Sequence, residues 1–416
     1  MPNPSGSNGQ DNGVCPSDEQ LRKLLYDYAH RNLSLRERLN YLAKEGYTIG
    51  RTKLKKLNRQ YAVPTVRKPP PLPVATTAIS TAVAGDIGGR NGPSTIQQTI
   101  RQTKNVFIPR DTVWKVMKAN FPHGAESRFP GKHTKRLRGH LAIGSGVFQE
   151  VHCDGHEKLN SKALRLGSIS IDMYGMRCHS SGKVLHDIVV PNARCSSTIG
   201  HIYLDFVTKY RMICEQLTVD GGSETGEMFA CHTALTQKYR PQNTVAAFVA
   251  LPSTMNVIIE GSWNHWLRFR GTTLRQAIEL GRSQGYFAIG NQLHIDLFHW
   301  IWPKIVQAGV DEFVEYWNNH KTRIQKKSNL PSGVAPNIIF DFPATYGLRN
   351  CGTPVELQDI EALRLTIPQS RAECFRWVSN EFDVAAQGVY VQLGSPELTH
   401  TNGWQMFVDM AAVLGQ

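Results

Sequence analysis

A chain of 416 residues and 46.6 kDa has room for roughly two to four domains. With 41% hydrophobic and 19% charged residues it buries a core rather than remaining disordered. A membrane helix needs about 18 or more uncharged apolar residues, and the best stretch, residues 287–306, is interrupted by His294, Asp296, His299 and Lys304. The polar, Gly/Asn-rich beginning carries no signal-peptide pattern. Eight cysteines without a C-x-x-C pair exclude a disulfide-stapled scaffold. They also argue against a cysteine-rich zinc site, leaving a mixed Cys/His site open. No G-x-x-x-x-G-K-[ST] run is present, so ATP binding by a P-loop is not expected.

The net charge of +13 is unevenly placed. Residues 1–140 hold 24 basic and 9 acidic side chains, a net of +15, whereas residues 141–416 hold 23 and 25, a net of −2. A local basic excess on a folded segment suits a polyanionic partner; a solvated basic face is the alternative.

Residues 1–17 read as a disordered tail and 18–62 as a first helical domain. Leu21, Leu24, Leu25 and Tyr28 follow helical spacing after Asp18. Ser34 and Glu37 form a capping-box pattern opening a helix over about residues 35–44. A Glu-Gly-Tyr turn leads to a third helix, about residues 50–60, carrying Arg51, Lys53, Lys55, Lys56 and Arg59. Two helices joined by a tight turn, the second rich in cations, resemble a helix-turn-helix that binds double-stranded DNA. An ordinary three-helix bundle is the alternative. Residues 63–74, with Pro64, Pro69, Pro70, Pro71 and Pro73, are expected to form a stiff extended linker.

Residues 75–125 repeat the helical theme as a second helix-turn-helix. A helix over about 76–83 is followed by one opened by Ser94 and a last one over 111–120. The last has Val113, Val116 and Met117 on one face, Lys115 and Lys118 on the other. A basic arm, 126–145, follows with Arg136 and Arg138 among its cations, suited to a phosphate backbone.

From about residue 146 the pattern becomes α/β. Strands are expected over 148–153, 164–174 and 183–190, then a helix over 197–209, a strand ending at Asp220 and a further helix. Asp154 is expected to end the first strand, Asp220 ends the fourth before Gly-Gly, and Glu260 lies in a helical run. Stepping by four from Glu260 gives Asn256 and Asn264, a polar stripe opposite Ile259, Trp263, Trp266 and Leu267. Three converging acids can form an oxygen cage for hard cations such as Mg²⁺ or Mn²⁺. Two such ions about 4 Å apart perform phosphodiester chemistry. Each acid alone is more often a cap or a surface charge.

At the motifs HCDGHEKL, GSISIDMYGM, TVDGGSETG, NVIIEGSWNHW and EFVEYWNNHKTR the chain resembles the integrase-core proteins of the retroviral integrase and transposase superfamily. The likeness is greatest to the eukaryotic type with helix-turn-helix units before the core, and it covers roughly residues 90–335. It implies a ribonuclease-H-like mixed five-stranded sheet flanked by helices over 146–335. It also implies DNA cleavage and strand transfer in the nucleus, assembly as a dimer or tetramer on DNA, and a catalytic triad of Asp154, Asp220 and Glu260. Those three would hold Mg²⁺ or Mn²⁺, two ions once DNA is bound, with Asn256, Asn264 and His156 behind them.

The chain departs from the retroviral pattern at several places. The interval from Asp220 to Glu260 is 40 positions, with a loop at 241–254 to absorb the excess. The basic residues one and two turns after the retroviral glutamate are replaced by Asn264 and Leu267, with Arg268 and Arg270 following. No His-Cys zinc module precedes the core. Helices are expected over 291–306 and 310–320, with Trp300, Trp302 and Trp317 as core anchors. Residues 336–416 are a C-terminal region without an expected role, and no motif is readable after about Cys351. Besides a transposase, the pattern allows a domesticated DNA-binding scaffold without turnover, or a ribonuclease of the same fold.

Overall fold

A computed structural model describes residues 12–121, 144–156, 159, 164, 166–252, 256–325 and 330–415. Among these, residues 12–84 and 91–121 form one compact unit, and residues 85–90 and 144–415 form another.

The first unit is helical. Helix α1 (Asp18–His30) is opened by Ser17 and Gln20 in a reciprocal capping box, and α2 (Leu35–Lys44) by Ser34 and Glu37 in another. Each box satisfies two backbone donors that a helix start leaves unpaired. A turn in which Gly46 takes φ +83° leads to α3 (Arg51–Gln60). Leu21, Leu25, Tyr28, Leu42, Leu54 and Leu57 are buried, and Arg38 Nη1 donates to Asn58 Oδ1 at 3.2 Å, tying α2 to α3.

The proline segment differs from expectation. A turn closes at residues 65–68, and α4 (Leu72–Ala84) begins inside the supposed linker. Pro73 is tolerated because the first helical turn has no intrahelical use for its missing N–H. Helices α5 (Pro93–Lys104) and α6 (Arg110–Asn120) follow, and their Ile96, Ile100, Val113, Val116 and Met117 pack with Ala75, Ala78 and Ile79 of α4. Pro93, with Gly92 before it, opens α5 one residue ahead of Ser94. Most of the basic arm, Arg136 and Arg138 included, lies outside the described residues.

The second unit is α/β. Strands β1 (Glu150–His156), β2 (Asp172–Cys178), β3 (Val184–Val190), β4 (Gln216–Asp220) and β5 (Phe248–Leu251) form a sheet in the order β3-β2-β1-β4-β5. The β1–β2 and β2–β3 pairs are antiparallel, and β1–β4 and β4–β5 are parallel. Helices α7 (Ser196–Tyr210) and α8 (Gly226–Tyr239) supply Ile202, Tyr203, Phe206, Met228 and Leu235 to a core with Val151, Cys153, Leu217 and Val219. A second core joins Met173 and Val189 to Ile259, Trp263 and Trp266 of α9 (Val257–Trp266) and to Phe298, Trp302 and Phe313 of α11 (Gln292–Asn319). Because side chains alternate along a strand, the two cores take opposite faces of the sheet.

Several boundaries are corrected. Phe148 has φ +58°, which interrupts the chain before β1, so the strand starts at Glu150 and runs past Asp154 to His156. Asp154 therefore lies within β1, two residues before its end. Residues 166–171 are turn and coil, although Leu166, Ile169 and Ile171 are buried, so β2 starts only at Asp172. The expected loop at 241–254 contains β5.

The two helices expected over 291–320 are one 28-residue helix containing Pro303. Gly309 continues it where a Cβ would lie 3.0 Å from Leu274 of α10 (Thr272–Ser283), so the small residue permits the close crossing. Residues 336–415 belong to this same unit, and Ala386, Val389, Phe407 and Met410 join the core around α11. Among the described residues no helix is long and apolar enough to cross a membrane.

Candidate active site

Period-two geometry places Glu150, His152, Asp154 and His156 on one face of β1, the face covered by α9. Asp220 ends β4, whose neighbouring Thr218 is in register with His152. Glu260 stands in the first turn of α9 and is exposed, Asp220 is half-buried, and Asp154 is 7% exposed.

Three hydrogen bonds tie α9 to β1. Asn256, at the N-cap, spends its side chain on tertiary bonds: its Nδ2 donates to the Cys153 carbonyl at 3.1 Å and its Oδ1 meets His152 Nδ1 at 2.8 Å. Seven residues on, Trp263 Nε1 donates to Asp154 Oδ2 at 3.1 Å. That donor aims the Asp154 carboxylate, which also accepts from the Gly155 backbone N–H.

Gly175 of β2, directly opposite Asp154, makes this possible. A Cβ there would lie 2.6 Å from both the Trp263 ring and Asp187 Oδ1. Gly175→Ala should therefore destabilise the protein by about 1–3 kcal/mol through overpacking. Urea unfolding of the variant checks this, and an unchanged midpoint would mean that Trp263 has room to move.

The three acids act on one another. The Asp154 carboxyl is pushed up to about 7, first by burial and then by the charges of Asp220 and Glu260, against the Trp263 N–H and the Gly155 backbone N–H. Such a carboxyl gains from any cation that offsets its neighbours. An oxygen-only donor set suits a hard cation.

The remaining expected residues are placed as follows. Asn256 is 1% exposed and is an anchor rather than part of an outward stripe. Asn264 is exposed and donates to the Glu260 carbonyl of its own helix at 3.1 Å. His156 is 5% exposed, stacked on Trp263 at 4.8 Å and edge-on to Trp266 at 5.3 Å. Its ring packs against both tryptophans and is closed to solvent. Arg268 is exposed on a five-residue π turn, Leu267–Gly271, between α9 and α10. In the helical unit Arg51, Lys53, Lys55, Lys56, Arg59, Lys115 and Lys118 are all exposed. Lys118 Nζ lies 5.2 Å over the ring of Trp114, itself 46% exposed.

A second group escaped sequence reasoning. Glu150, His152 and His179 bring their ligand atoms within 4.8 Å of one another, and among the described residues this is the group so placed that could hold a metal ion. The alternation E-V-H-C-D-G-H, read as a strand, would have put Glu150 and His152 beside Asp154 on one face. His179 had no such signal, since only strand pairing brings it there. Asp154, Asp220 and Glu260 do not form such a group among the described residues.

No family model matches the chain, and no curated protein is found to be similar to it.

Proposed function

We propose that this chain is a metal-dependent polynucleotidyl transferase of the integrase and transposase kind, with a ribonuclease-H-like core and a separate helical unit for double-stranded DNA. The observation that carries this reading is Asp154, aimed by the Trp263 indole and sharing its surroundings with Asp220 and Glu260. The sheet order and its mix of parallel and antiparallel pairs support the same reading. Asp154, Asp220 and Glu260 would hold Mg²⁺ or Mn²⁺. The chemistry such ions would supply is activation of a water or 3′-hydroxyl and stabilisation of the leaving oxygen.

The chain's own residues do the positioning. Asn256 and Trp263 set α9 on β1, so that the charge of Glu260 acts on Asp154 while Asp154 keeps its orientation. The exposed cations of α3 offer phosphate contacts that fix DNA without reading its bases. Assembly as a dimer or tetramer on DNA, and a nuclear location, belong to the same reading.

The direct test is full-length protein with Mg²⁺ or Mn²⁺ and supercoiled plasmid. Nicking and strand transfer that stop with chelator are expected. DNA binding without any metal-dependent nicking would overturn the enzymatic reading and leave a DNA-binding scaffold.

DNA affinity should also fall steeply with salt, by roughly 10³–10⁵ between 50 and 200 mM if about 6–10 phosphates are neutralised. Arg51, Lys55 and Arg59 recur every four residues along α3. Replacing all three by Ala should flatten the plot of log affinity against log salt by about three contacts. An unchanged slope would place the DNA elsewhere.

A further inference from the structure

We propose that Glu150, His152 and His179 form a second metal site, for a single Zn²⁺ ion, chemically distinct from the carboxylate triad. The site rests on its own geometry and does not depend on the proposed nuclease chemistry.

Two imidazole nitrogens and one carboxylate oxygen are a donor set that zinc takes readily, whereas magnesium prefers oxygen alone. His152 Nε2 lies 2.9 Å from His179 Nδ1 and 3.3 Å from Glu150 Oε1, and His179 Nδ1 lies 3.0 Å from Glu150 Oε2. Ligand atoms about 2.0–2.1 Å from a tetrahedral ion stand about 3.3 Å apart. The two nitrogens face different oxygens of the Glu150 carboxylate, and all three ligand atoms lie within 4.8 Å of one another, so a rotation of the carboxylate and a parting of the two rings would seat the ion. Both histidines are buried, His152 at 4% and His179 at 6% exposure.

The surroundings prepare His152 as a ligand. Asn256 Nδ2 donates to the Cys153 carbonyl, which fixes the amide so that its oxygen faces His152 Nδ1. An amide oxygen only accepts, so His152 carries its proton on Nδ1 and turns the lone pair of Nε2 toward the other two ligands. The Thr218 hydroxyl donates to Glu150 Oε1 at 2.6 Å and orients the carboxylate. An oriented tautomer and a hydrogen-bonded carboxylate are the outer contacts that metal ligands use.

The ion would join two strands and, through the Asn256 hydrogen bond to His152, tie in a helix. Glu150 and His152 belong to β1, His179 follows the last residue of β2, and Asn256 caps α9. His152 and Asp154 are two residues apart on one face, a spacing of about 7 Å along a strand. Zinc here would lock the strand that presents Asp154, acting through position rather than on DNA.

The test uses full-length protein stripped with chelator and dialysed. Zn²⁺ alone is titrated against a chromogenic competitor, and Co²⁺ is added in a parallel sample. One equivalent of zinc per chain is expected, together with a visible cobalt band of tetrahedral intensity and no thiolate charge-transfer band. Glu150→Gln and His179→Gln should each weaken zinc binding by more than the roughly 10–100-fold that loss of an outer contact costs. Asp154→Asn and Glu260→Gln should leave the equivalent in place. A weak octahedral cobalt spectrum, a thiolate band from the cysteines, no zinc bound, or loss only in the triad variants would each overturn the proposal. If the Gln variants unfold, the wild-type cobalt spectrum still decides between nitrogen-containing tetrahedral and all-oxygen ligation.

Discussion

Asp154→Asn, Asp220→Asn and Glu260→Gln should each lower metal-dependent nicking by on the order of 10²–10³-fold or more, with DNA affinity nearly unchanged. Each amide keeps the shape of the acid but removes the charge that would hold cations. In the Asp154→Asn variant the amide oxygen can still accept from the Trp263 indole, so packing around this position should survive the substitution. Affinity should survive all three because the positive excess lies in residues 1–140, net +15, and not around the triad. Supercoiled-plasmid nicking and a DNA-binding titration on the same preparations separate the two properties. Near wild-type turnover in any one variant would remove that residue from the chemistry.

The same Asp154→Asn substitution should stabilise the metal-free protein at pH 8. In the fold the Asp154 carboxyl is pushed up to about 7 by burial and by the nearby charges of Asp220 and Glu260. In the unfolded chain an Asp titrates near pH 4. Between those values the native state binds a proton that the unfolded state has released, so stability falls as pH rises from about 4 to about 7 and then levels off. Asparagine carries no such penalty. The variant should exceed wild type by about 2–4 kcal/mol at pH 8 and converge with it near pH 4. Asp187, also pushed up to about 7 by burial against the pull of the Met176 N–H and Arg177, adds a parallel slope to both proteins. The informative quantity is therefore their difference.

Millimolar Mg²⁺ should raise the wild-type melting temperature at pH 8, and less at pH 6, where protons compete for Asp154. Equal melting of variant and wild type across this range would mean that the three acids do not burden the fold.

Local signals in the chain determined the first three helices almost to the residue, but not the start of α4, which lies inside the expected linker. Ser34 with Glu37 opens α2 because a capping box is a contract between neighbours in sequence. The cations of α3 face solvent because Leu54 and Leu57 take the buried side of that helix. The run ending at Asp220 is a strand ending there, since apolar β-formers stop at Gly221 and Gly222.

Where an outcome depended on a distant partner, local pattern misled. Asn256 reads as part of a polar stripe with Glu260, yet Cys153 and His152, about a hundred positions earlier, draw it inward. His156, beside an acid in sequence, is claimed by two tryptophans of α9. Helix α11 is continuous although it contains Pro303, because packing along its length outweighs one missing hydrogen bond. The short strand β5 exists because the edge of β4 offers it a parallel ladder. The sequence by itself determined which residues could carry charge, cap a helix or line a strand. Only the tertiary structure decided that Trp263 aims Asp154, that Gly175 makes room for it, and that His179 meets Glu150 and His152. Each of those depends on strand register and a helix crossing, which side chains far apart in the chain settle together.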